Sequence, residues 1–415
     1  MKKMSEYVYH IGLKMRIYPS NQQRKIIKMN GGASRYIYNK LVAGHNEMWL
    51  LKKTAHLSSA DRNRLEFLES VFSSKANLVA MMPFLTMDEI DSDMICHAIQ
   101  NYQTAWKRFK NGASIPTFHK KDYTYSYVTS NHYVKDSEDG LRDGSIYFID
   151  NSHIRLPKIG KIRCKGSKKL IENLLNSDAE IRIGSVSIEM DNTDYCYVSL
   201  SLASDAPFYK SYTKTNSVAG IDLNLSNFLA DSDDNEIDSP RFLKKSEAKL
   251  KKAQRKLSRK LESAKKNNKK FYEIKNYNDQ RLKVAKLHKH VANQRSDFHF
   301  NLANDIVKNH DYIFAEDLKV KNLLKNHNLA KAISDSGWRG FLTKLEWSAT
   351  KHDKVFMLVE SKDTTQICSY CGKKSPKKIE LGVKEWDCPF CGSHLRRDPN
   401  AAKNIKKRGI QVLEL

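Results

Sequence analysis

Apolar and polar positions alternate near the start of the chain, and this pattern predicts a short strand over about Gly12 to Tyr18. Ser20 and Gln23 follow with the spacing of a capping box, so a helix is predicted to begin there. Apolar residues then recur at helical spacing as far as about Lys110. The first quarter of the chain is therefore predicted to be one strand followed by helices.

From about Ile115 to Pro207 the pattern changes to short runs rich in Tyr, Val, Ile and Ser, separated by turn sequences such as LPKIG and MDNTD. Runs of this kind are typical of short antiparallel strands and predict a small β-barrel. If the first strand joins this barrel, the helices between Ser20 and Lys110 form an insertion within it.

A further module is predicted to begin at Val218 with VAGIDLNLSNFLADSDDNEI, two strand-like apolar runs around a tight turn. Beyond Pro240, apolar residues such as Leu250 and Leu257 recur at helical spacing, so two long helices are expected. They give way to HDYIFAEDLKV, an apolar run of strand length that ends in two acids and indicates a buried parallel strand. With 415 residues the chain can hold several such modules, and we predict a multidomain α/β protein.

Charge changes the picture most in the predicted long helices. The formal net charge is +25, and the stretch from Arg241 to Phe300 carries 20 Lys and Arg against 5 Asp and Glu. Lysine-rich helix faces are usually solvated surface, but so lopsided an excess favours a polyanionic partner. Nucleic acid is the favoured partner, and a membrane surface is the competing one. The candidate contacts on the first long helix are Lys251, Lys252, Arg255 and Arg259.

No run of about 18 apolar residues occurs in the sequence, so no spanning helix is expected. The N-terminal MKKMSEYVYHIGLKMRIYPS also lacks the long apolar stretch of a secretory signal. Both observations predict a cytoplasmic protein without a membrane partner. Cys96, Cys164 and Cys196 are isolated along the chain, which fits reduced core residues in that compartment.

Four further cysteines form two C-x-x-C pairs, CSYCG and CPFCG, with 16 residues between the pairs. They are Cys368, Cys371, Cys388 and Cys391. The spacing is that of a zinc ribbon, in which each pair occupies a tight turn and contributes two thiolates to one tetrahedral ion. The alternatives are two coincidental pairs and a redox dithiol, which needs a single pair at a helix start. We predict one structural Zn²⁺ that leaves no open position for catalysis.

An enzyme of this sequence needs another centre, because the chain contains no nucleophile elbow, no Walker loop and no H-E-x-x-H motif. Three acids remain at the ends of predicted elements: Asp222, Glu316 and Asp398. Carboxylates that converge at one edge of a sheet can hold two Mg²⁺ ions about 4 Å apart for phosphodiester hydrolysis. Segments that are distant in sequence can supply neighbouring strands, so their separation is no obstacle.

Each acid also has a structural explanation. Asp222 faces the side of its strand opposite its apolar neighbours, where an unpaired buried carboxylate would be costly. Glu316 could accept hydrogen bonds from nearby N–H groups. Asp398 precedes Pro399, as an N-cap residue precedes proline at the first helical position. Position alone therefore leaves the catalytic role of each acid open.

Four sequences occur in an order that resembles the TnpB family: GIDLNLSNFLADSDDNEIDSPRFL, IFAEDLKVKNLL, CSYCG with CPFCG, and RRDPNAAKNI. This family comprises transposon-encoded OrfB proteins related to the type V CRISPR effectors. The resemblance is strong from about Val218 to Ile410. LKMRIYPSNQQRKII, ASRYIYN and LPKIGKIRCKG also look like the N-terminal half of the family.

The resemblance implies an RNA-guided DNA endonuclease. Its fold would be an RNase H-like (RuvC) nuclease domain with a zinc-ribbon insertion, preceded by a wedge β-barrel that carries an inserted helical recognition domain. The implied boundaries are 1–19 for the first wedge strand, 20–112 for the recognition helices, 113–215 for the rest of the wedge, 216–366 for the first part of the nuclease with its basic helices at 241–308, 367–393 for the zinc ribbon, and 394–415 for the last part of the nuclease.

Carried over residue by residue, the three RuvC acids fall on Asp222, Glu316 and Asp398, the same acids that position had singled out. They would bind two Mg²⁺ ions, and the four cysteines would bind Zn²⁺. The partners would be a guide RNA encoded by the element and a double-stranded DNA target beside a short motif. A monomer is expected. The resemblance also implies a prokaryotic protein of the cytoplasm that is associated with the nucleoid when it binds DNA.

Other functions compete with this one. A nuclease-inactive RNA-guided repressor would lack at least one of the acids, and all three are present. A transposase that joins strands by itself would act without a guide. A CRISPR-array-guided effector would use the same chemistry with an RNA encoded elsewhere.

Two positions depart from the family pattern. Asn224 stands where the family usually has Gly, and Asn tolerates a left-handed backbone better than most residues. Arg396 stands where the family often has His or Asp. We interpret Arg396 and Arg397 as phosphate contacts beside the scissile strand, with plain surface charge as the alternative. Asp398 is expected to cap the helix at Pro399 with one carboxylate oxygen and to bind Mg²⁺ with the other.

Overall fold

The chain divides into two units, Met1–Phe208 and Tyr209–Leu415. The structure, a computed structural model, describes residues 2–70, 72–120, 122–134, 139–166, 168–268, 274–380 and 382–414. Among the helices within these ranges, none combines the length and the apolar character needed to cross a membrane.

The first unit is organised around a seven-stranded antiparallel sheet. Its strands are β1 (Tyr9–Tyr18), β2 (Tyr125–Ser130), β3 (Tyr147–Asp150), β4 (His153–Leu156), β5 (Gly160–Lys165), β6 (Ile181–Met190) and β7 (Cys196–Ser204). They lie side by side in the order β2-β6-β7-β1-β5-β4-β3. β1 pairs with β7 from Tyr9 opposite Ser204 to Ile17 opposite Cys196, and its last residues pair with β5. The N-terminal strand therefore joins strands from the second half of the unit, as predicted.

Helices separate β1 from β2 in the sequence. They are α1 (Asn21–Lys53), α2 (Ser59–Ser70), α3 (Lys75–Met81) and α4 (Ser92–Lys110), while α5 (Lys168–Leu175) lies between β5 and β6. Short 3-10 turns cover Met4–Glu6 and Pro83–Thr86. The predicted capping box opens α1, because Ser20 Oγ accepts a hydrogen bond from Gln23 N at 3.3 Å and Gln23 Oε1 accepts one from Ser20 N at 2.9 Å. The helices thus interrupt the sheet between its central strand and the strands that follow.

The sheet of the first unit is a half-barrel. Among the described residues, the end strands β2 and β3 each pair on one side only. Its buried face contributes residues such as Met15, Ile154 and Val198 to one apolar core. The predicted barrel is therefore corrected to a half-barrel. Alternation along a strand shows which face is buried, but it does not show whether the outer strands of the sheet pair with each other.

The second unit contains a mixed five-stranded sheet. Its strands are β8 (Val218–Leu223), β9 (Leu229–Asp231), β10 (Glu236–Ile237), β11 (Tyr312–Glu316) and β12 (Val355–Val359). β8, β11 and β12 run parallel, and β9 and β10 extend the β8 edge as antiparallel strands. The parallel strand predicted from HDYIFAEDLKV is therefore confirmed. A separate two-stranded ribbon pairs β13 (Glu385–Asp387) with β14 (His394–Arg396).

Helices cover both faces of this mixed sheet. They are α6 (Phe242–Lys266), α7 (Lys275–Asn309), α8 (Val320–Leu323), α9 (His327–Ser336), α10 (Trp338–Lys351) and α11 (Arg397–Leu413). α6 and α7 are the two long basic helices that the sequence predicted. α7 and α10 cover one face, where Phe341 shares a core with Ile221 and Ile313. α11 covers the opposite face, where Ile405 meets Phe314.

Two glycines allow α11 to lie directly against the strands. A Cβ added at Gly220 of β8 would stand 2.1 Å from the carbonyl oxygen of Ala402, and one at Gly409 of α11 would stand 2.1 Å from the ring of Phe314. Both separations are far shorter than a van der Waals contact, so each position needs a residue without Cβ. This close approach brings the first turn of α11 toward the end of β8.

Candidate active site and metal centres

Asp222 and Glu316 stand at the carboxyl ends of neighbouring parallel strands. Ile221 of β8 lies opposite Ala315 of β11, so the next residue of each strand, Asp222 or Glu316, comes to the same end of the sheet. Side chains alternate between the two faces of a strand. Asp222 therefore shares the face of Gly220, which α11 covers, and Glu316 lies on that face beside it.

Asp398 approaches from the first turn of α11. This helix begins at Arg397 and has Arg396 as its N-cap residue, with no side-chain capping bond. The predicted N-cap role of Asp398 is therefore wrong, because Asp398 lies inside the helix and the helix starts two residues before Pro399. A carboxylate in the first turn is still favoured by the helix dipole. The proline position alone could not distinguish an N-cap from a first-turn residue.

The structure brings the three predicted acids together. The exposed fractions are 5% for Asp222, 6% for Glu316 and 4% for Asp398. Burial raises the pKa of Asp222 well above its usual range, and the charges of Glu316 and Asp398 raise it further. Burial also raises the pKa of Glu316, although a hydrogen bond of 2.5 Å from the Thr364 hydroxyl to Glu316 Oε1 acts in the opposite direction. The three carboxylates are thus buried and near enough for their charges to interact, although their oxygens do not all lie within 4.8 Å of one another.

Two cationic side chains contact Asp398. Arg397 Nε lies 3.4 Å from Asp398 Oδ1, and Lys384 Nζ donates to Asp398 Oδ2 at 3.2 Å. Lys384 is half exposed, whereas Arg397 is 8% exposed and also donates to the carbonyl oxygen of Glu380. Arg397 was predicted to contact phosphate. In this structure it is buried against Asp398, which gives the guanidinium an internal partner, and its phosphate contact stays a prediction.

The two departures from the family pattern have local explanations. Arg396 Nη1 donates to Glu236 Oε1 at 3.1 Å, and Nη2 donates to the carbonyl oxygen of Asp234 at 2.9 Å. This contact holds the turn between β9 and β10, and the phosphate contact of Arg396 stays a prediction. Asn224 is not among the described non-glycine residues with positive φ. Its Oδ1 accepts a hydrogen bond from Asn227 N at 2.8 Å, so its role is in the turn and not in a left-handed backbone.

The acids provide a donor set that suits a divalent cation. All three ligand groups are carboxylates, and Asp398 Oδ1 is buried without a hydrogen bond from the described residues. A bound cation would compensate the buried negative charge, and Mg²⁺ prefers oxygen ligands of this type. Asp222, Glu316 and Asp398 are the residues that would hold it.

The four cysteines form a second candidate metal centre. Their Sγ atoms all lie within 4.8 Å of one another, and the described ranges contain no other such group of His, Cys, Asp or Glu. Cys368 Sγ lies 3.7 Å from Cys391 Sγ, and Cys371 Sγ lies 3.6 Å from Cys388 Sγ. A tetrahedron with Zn–S bonds of about 2.3 Å has edges of about 3.8 Å. The geometry thus fits the zinc ion that the spacing predicted.

Two matching turns place these sulfurs. Gly372 N donates to Cys368 O, and Gly392 N donates to Cys388 O, at 2.9 Å in both turns. The φ angles of Gly372 and Gly392 are +73° and +71°, values that glycine adopts without strain. The sulfur positions are therefore set by two local turns of the same design.

Sequence reasoning missed the side chains that hold α11 beside the cysteine-bearing segment. Asn400 Oδ1 accepts a hydrogen bond from Ser369 N at 2.8 Å, and Asn404 Nδ2 donates to the carbonyl oxygen of Thr364 at 2.9 Å. Thr364 in turn holds Glu316. A signal was present, because the two asparagines are four residues apart in RRDPNAAKNI and so lie on one helix face.

The four predicted nucleic-acid contacts of α6 are all exposed. They are Lys251, Lys252, Arg255 and Arg259. Lys252 lines a cavity of about 420 Å³ between α6 and α7. The other lysines of this cavity are Lys249, Lys256, Lys283 and Lys286. Such a concentration of ammonium groups suits a phosphate backbone.

The fold and the two candidate centres together define a class of protein. It is a multidomain α/β protein with buried carboxylates at a strand edge and a four-cysteine cluster, and its fold is similar to that of Cas12f1. A solved chain from the "Cas12f1-sgRNA-target DNA complex" aligns with a TM-score of 0.50 at 11% sequence identity. The alignment covers 96% of this chain and 98% of that chain. At this identity the likeness concerns the fold alone.

Family profiles make the assignment more particular. The OrfB_IS605 profile "Probable transposase" matches residues 185–327, "Cas12f1-like, TNB domain" matches 338–405, and the OrfB_IS605 "Helix-turn-helix domain" matches 8–53. The last match covers β1 and α1, which are a strand and one continuous helix in this structure. The resemblance to the TnpB (OrfB) family that the motifs indicated is confirmed by these matches.

Two relatives match almost the whole chain. A Streptomyces pristinaespiralis protein named "Putative RNA-guided DNA endonuclease" is 27% identical over 96% of this chain and 89% of its own length. An Escherichia coli K12 protein named "Putative RNA-guided DNA endonuclease InsQ" is 24% identical over 96% of this chain and 92% of its own length.

Proposed function

We propose that this protein is an RNA-guided DNA endonuclease that hydrolyses phosphodiester bonds with Mg²⁺ at Asp222, Glu316 and Asp398. The observation that carries the proposal is the convergence of three buried acids from β8, β11 and α11 at one end of the sheet. The names of the relatives and the fold likeness to Cas12f1 support the guided-nuclease part. In this proposal β8 to β12 and α11 belong to an RNase H-like nuclease.

The chain's own residues prepare the site for this chemistry. Thr364 orients Glu316 through one carboxylate oxygen, and Arg397 and Lys384 hold Asp398 from two sides. Burial weakens solvent screening around the acids, which strengthens their attraction for a cation. When bound, two Mg²⁺ ions would activate the attacking water and stabilise the leaving oxygen.

The partners in this proposal are a guide RNA encoded by the element and a double-stranded DNA target. Pairing between guide and target would read the sequence, and the protein would read a short motif beside it. The half-barrel and helices of the first unit would hold the RNA and read this motif as a wedge and a recognition domain. Exposed lysines of α6 would contact the backbone of the guide–target duplex. The four cysteines would hold one structural Zn²⁺, and the protein would act as a monomer.

The test begins with the RNA that co-purifies with the protein. This RNA is sequenced, and plasmids with a matched or a scrambled target are incubated with the complex in Mg²⁺. We expect only the matched plasmid to be cut, and we expect Asp222→Ala to abolish cutting. Asp305→Ala, at an exposed acid of α7, is the matched control and should cut like the wild type.

Each other outcome identifies a competing function. Cutting without a guide would indicate a transposase or nuclease that acts alone. Guided binding without cutting would indicate a repressor. Cutting that persists in Asp222→Ala would reject the site. Flanking array repeats that encode the co-purified RNA would indicate a CRISPR-guided effector of the same chemistry.

A further inference from the structure

Asn224 is a buried carboxamide two residues after Asp222, in the turn that follows β8. Its exposed fraction is 8%. Its Oδ1 accepts hydrogen bonds from the Asn227 backbone N–H at 2.8 Å and from the Ser226 hydroxyl at 3.1 Å. Because two donors face this atom, it must be the oxygen end of the carboxamide. The turn therefore fixes the orientation of the amide plane.

The nitrogen end of this carboxamide is directed away from the turn. Nδ2 of Asn224 is buried and makes no hydrogen bond that satisfies both distance and angle within the described residues. A buried donor without an acceptor costs about 1 to 3 kcal/mol. Its N–H groups lie near enough to Asp222 to lower the pKa of that carboxyl, in opposition to burial. The unsatisfied donor thus stands next to a candidate metal ligand.

The same turn is connected to the third acid. The Ser226 hydroxyl that donates to Asn224 accepts a hydrogen bond from Lys384 Nζ. Lys384 Nζ also lies 3.2 Å from Asp398 Oδ2. A chain of polar contacts therefore runs from Asn224 to Asp398 through Ser226 and through a lysine of the cysteine-bearing segment.

We propose that Asn224 is a positioning residue for the divalent cation: its Nδ2–H donates to the Asp222 carboxylate and leaves the other oxygen of that carboxylate to the metal. The inference rests on the proposed function, because it needs Asp222 to be a metal ligand. Hydrogen bonds that orient a ligating carboxylate matter, since their removal typically lowers metal affinity or activity about 10- to 100-fold. A residue that only shaped the turn through Oδ1 would have no such effect on the metal.

Direct metal binding separates these two roles. The affinity of the zinc-loaded full-length protein for Mn²⁺ is measured from the free-ion signal in electron paramagnetic resonance. We expect Asn224→Ala to bind Mn²⁺ about 10-fold more weakly than the wild type, with unchanged affinity for guide RNA and a lowered melting temperature, because two hydrogen bonds of the turn are lost. The control is Asn227→Ala, whose side chain donates to Glu236 and not to the acids, and it should bind Mn²⁺ like the wild type. Equal affinity of Asn224→Ala and wild type would overturn the inference.

A second variant keeps the test decisive if Asn224→Ala fails to fold. Ser226→Ala removes one of the two donors that orient the carboxamide and leaves the backbone donor in place. We expect its Mn²⁺ affinity to fall about threefold, the effect of one net hydrogen bond of modest strength. Unchanged affinity in this variant would count against the positioning role.

The failure of the inference can be told apart from the failure of the proposed function. If Asn224→Ala binds Mn²⁺ more weakly but the wild type does not cut matched DNA, the proposed function fails and the positioning role stands. If the wild type cuts and Asn224→Ala keeps full Mn²⁺ affinity, the positioning role alone fails. If Asp222→Asn binds Mn²⁺ like the wild type, both fail.

Discussion

The two candidate metal centres of this protein are assembled in opposite ways. The four cysteines come from two turns within residues 368–391, and matching backbone bonds set the sulfur positions in each turn. The three acids come from two strands and a helix spread over residues 222–398. They meet only because β8 pairs with β11 and α11 lies against both. Local geometry therefore builds the first centre, and tertiary packing builds the second.

The centres also differ in their electrostatics. Four thiolates around one zinc ion form a closed ligand set, so the bound ion contributes directly to folding. The acids are buried at one end of the sheet, where burial and neighbouring charge raise the pKa of Asp222. Unfavourable groups of this kind are expected at functional sites, because the fold elsewhere stabilises them. The comparison teaches that one centre would stabilise its own segment once it binds zinc, whereas the other depends on the stability of its surroundings.

The largest effect is expected from removing a zinc ligand. Zinc binding in small structural sites contributes about 10 kcal/mol or more to folding. We therefore expect Cys388→Ser to lose its zinc and to expose residues 364–400 to hydrogen exchange. Metal analysis should find about one zinc per wild-type chain and close to none in the variant. Cys96→Ser, at a cysteine far from the cluster in sequence, should keep its zinc, and a zinc-free wild type that is fully folded would refute the centre.

Gly220→Ala should damage the acid centre and spare the cysteine centre. The added Cβ would stand 2.1 Å from the Ala402 carbonyl oxygen, so α11 must shift away from β8. We expect a loss of about 2 to 3 kcal/mol in the free energy of unfolding, slower cleavage and normal zinc content. Denaturant unfolding and metal analysis check these outcomes.

The control for that substitution is Gly12→Ala in β1, where nothing lies within 4 Å of the added Cβ. It should leave stability unchanged or slightly raised. A Gly220→Ala protein as stable as the Gly12→Ala protein would show that the close approach of α11 is not needed.

Asp222→Asn isolates the electrostatic difference between the centres. Because the pKa of Asp222 is raised in the folded state, the protonated carboxyl stabilises the fold. This stabilisation is fully present below the pKa of the unfolded state and is lost as the pH rises through the pKa of the folded state. In Mg²⁺-free buffer we therefore expect the variant to melt about 3 °C higher than the wild type at pH 8, the shift that 1 kcal/mol produces in a unit of this size. The gap should shrink toward pH 5.

Differential scanning calorimetry at both pH values measures this gap. Asp305→Asn, at an exposed acid of α7, should show no gap at either pH. A variant that melts below the wild type at pH 8 would mean that Asp222 is stabilised in its charged form, contrary to its burial among acids.

The smallest effect is expected from single lysines of α6, which belong to neither centre. Lys252→Gln should reduce the slope of log affinity against log salt by about 1, as expected for one lost phosphate contact. Lys251→Gln should reduce it less, because Lys251 already pairs with Glu247 at 2.7 Å. Binding to the guide–target duplex at several salt concentrations gives both slopes. Equal slopes for wild type and Lys252→Gln would remove this contact from the interface.

Local patterns explain what was predictable from the sequence. The capping box at Ser20 and Gln23, the C-x-x-C pairs and the apolar run before Glu316 each reflect contacts between residues close in sequence. The insertion of helices into the first sheet was also predictable from the sequence, because a lone N-terminal strand needs a partner strand. The three acids were identified because they lie at the ends of predicted strands and of a predicted helix. The carboxyl ends of parallel strands meet at one edge of a sheet, so acids at these ends are expected to lie near one another.

Other features depend on contacts between distant segments. The half-barrel could not be told from a closed barrel, because no strand sequence records whether the outer edges pair. The burial of Arg397 results from the packing of α11, whereas its neighbours in sequence suggested an exposed residue, either a phosphate contact or plain surface charge. Lys384 lies outside every motif, and its contact with Asp398 depends on how the cysteine-bearing segment returns to the sheet. For Asp398, the following proline suggested a cap, and only the helix start at Arg397 corrected this.

Single-turnover cleavage by Glu316→Gln tests most directly whether the acids form the nuclease centre. The substitution keeps the size of the side chain and an oxygen that can accept the Thr364 hydrogen bond, but it removes the charge. Wild type and variant are loaded with the same guide RNA and mixed with matched DNA in Mg²⁺. We expect the variant to cut at least about 1000-fold more slowly, a loss of about 4 kcal/mol in transition-state stabilisation, with unchanged target binding and zinc content. Cleavage at the wild-type rate would contradict the assignment of this centre.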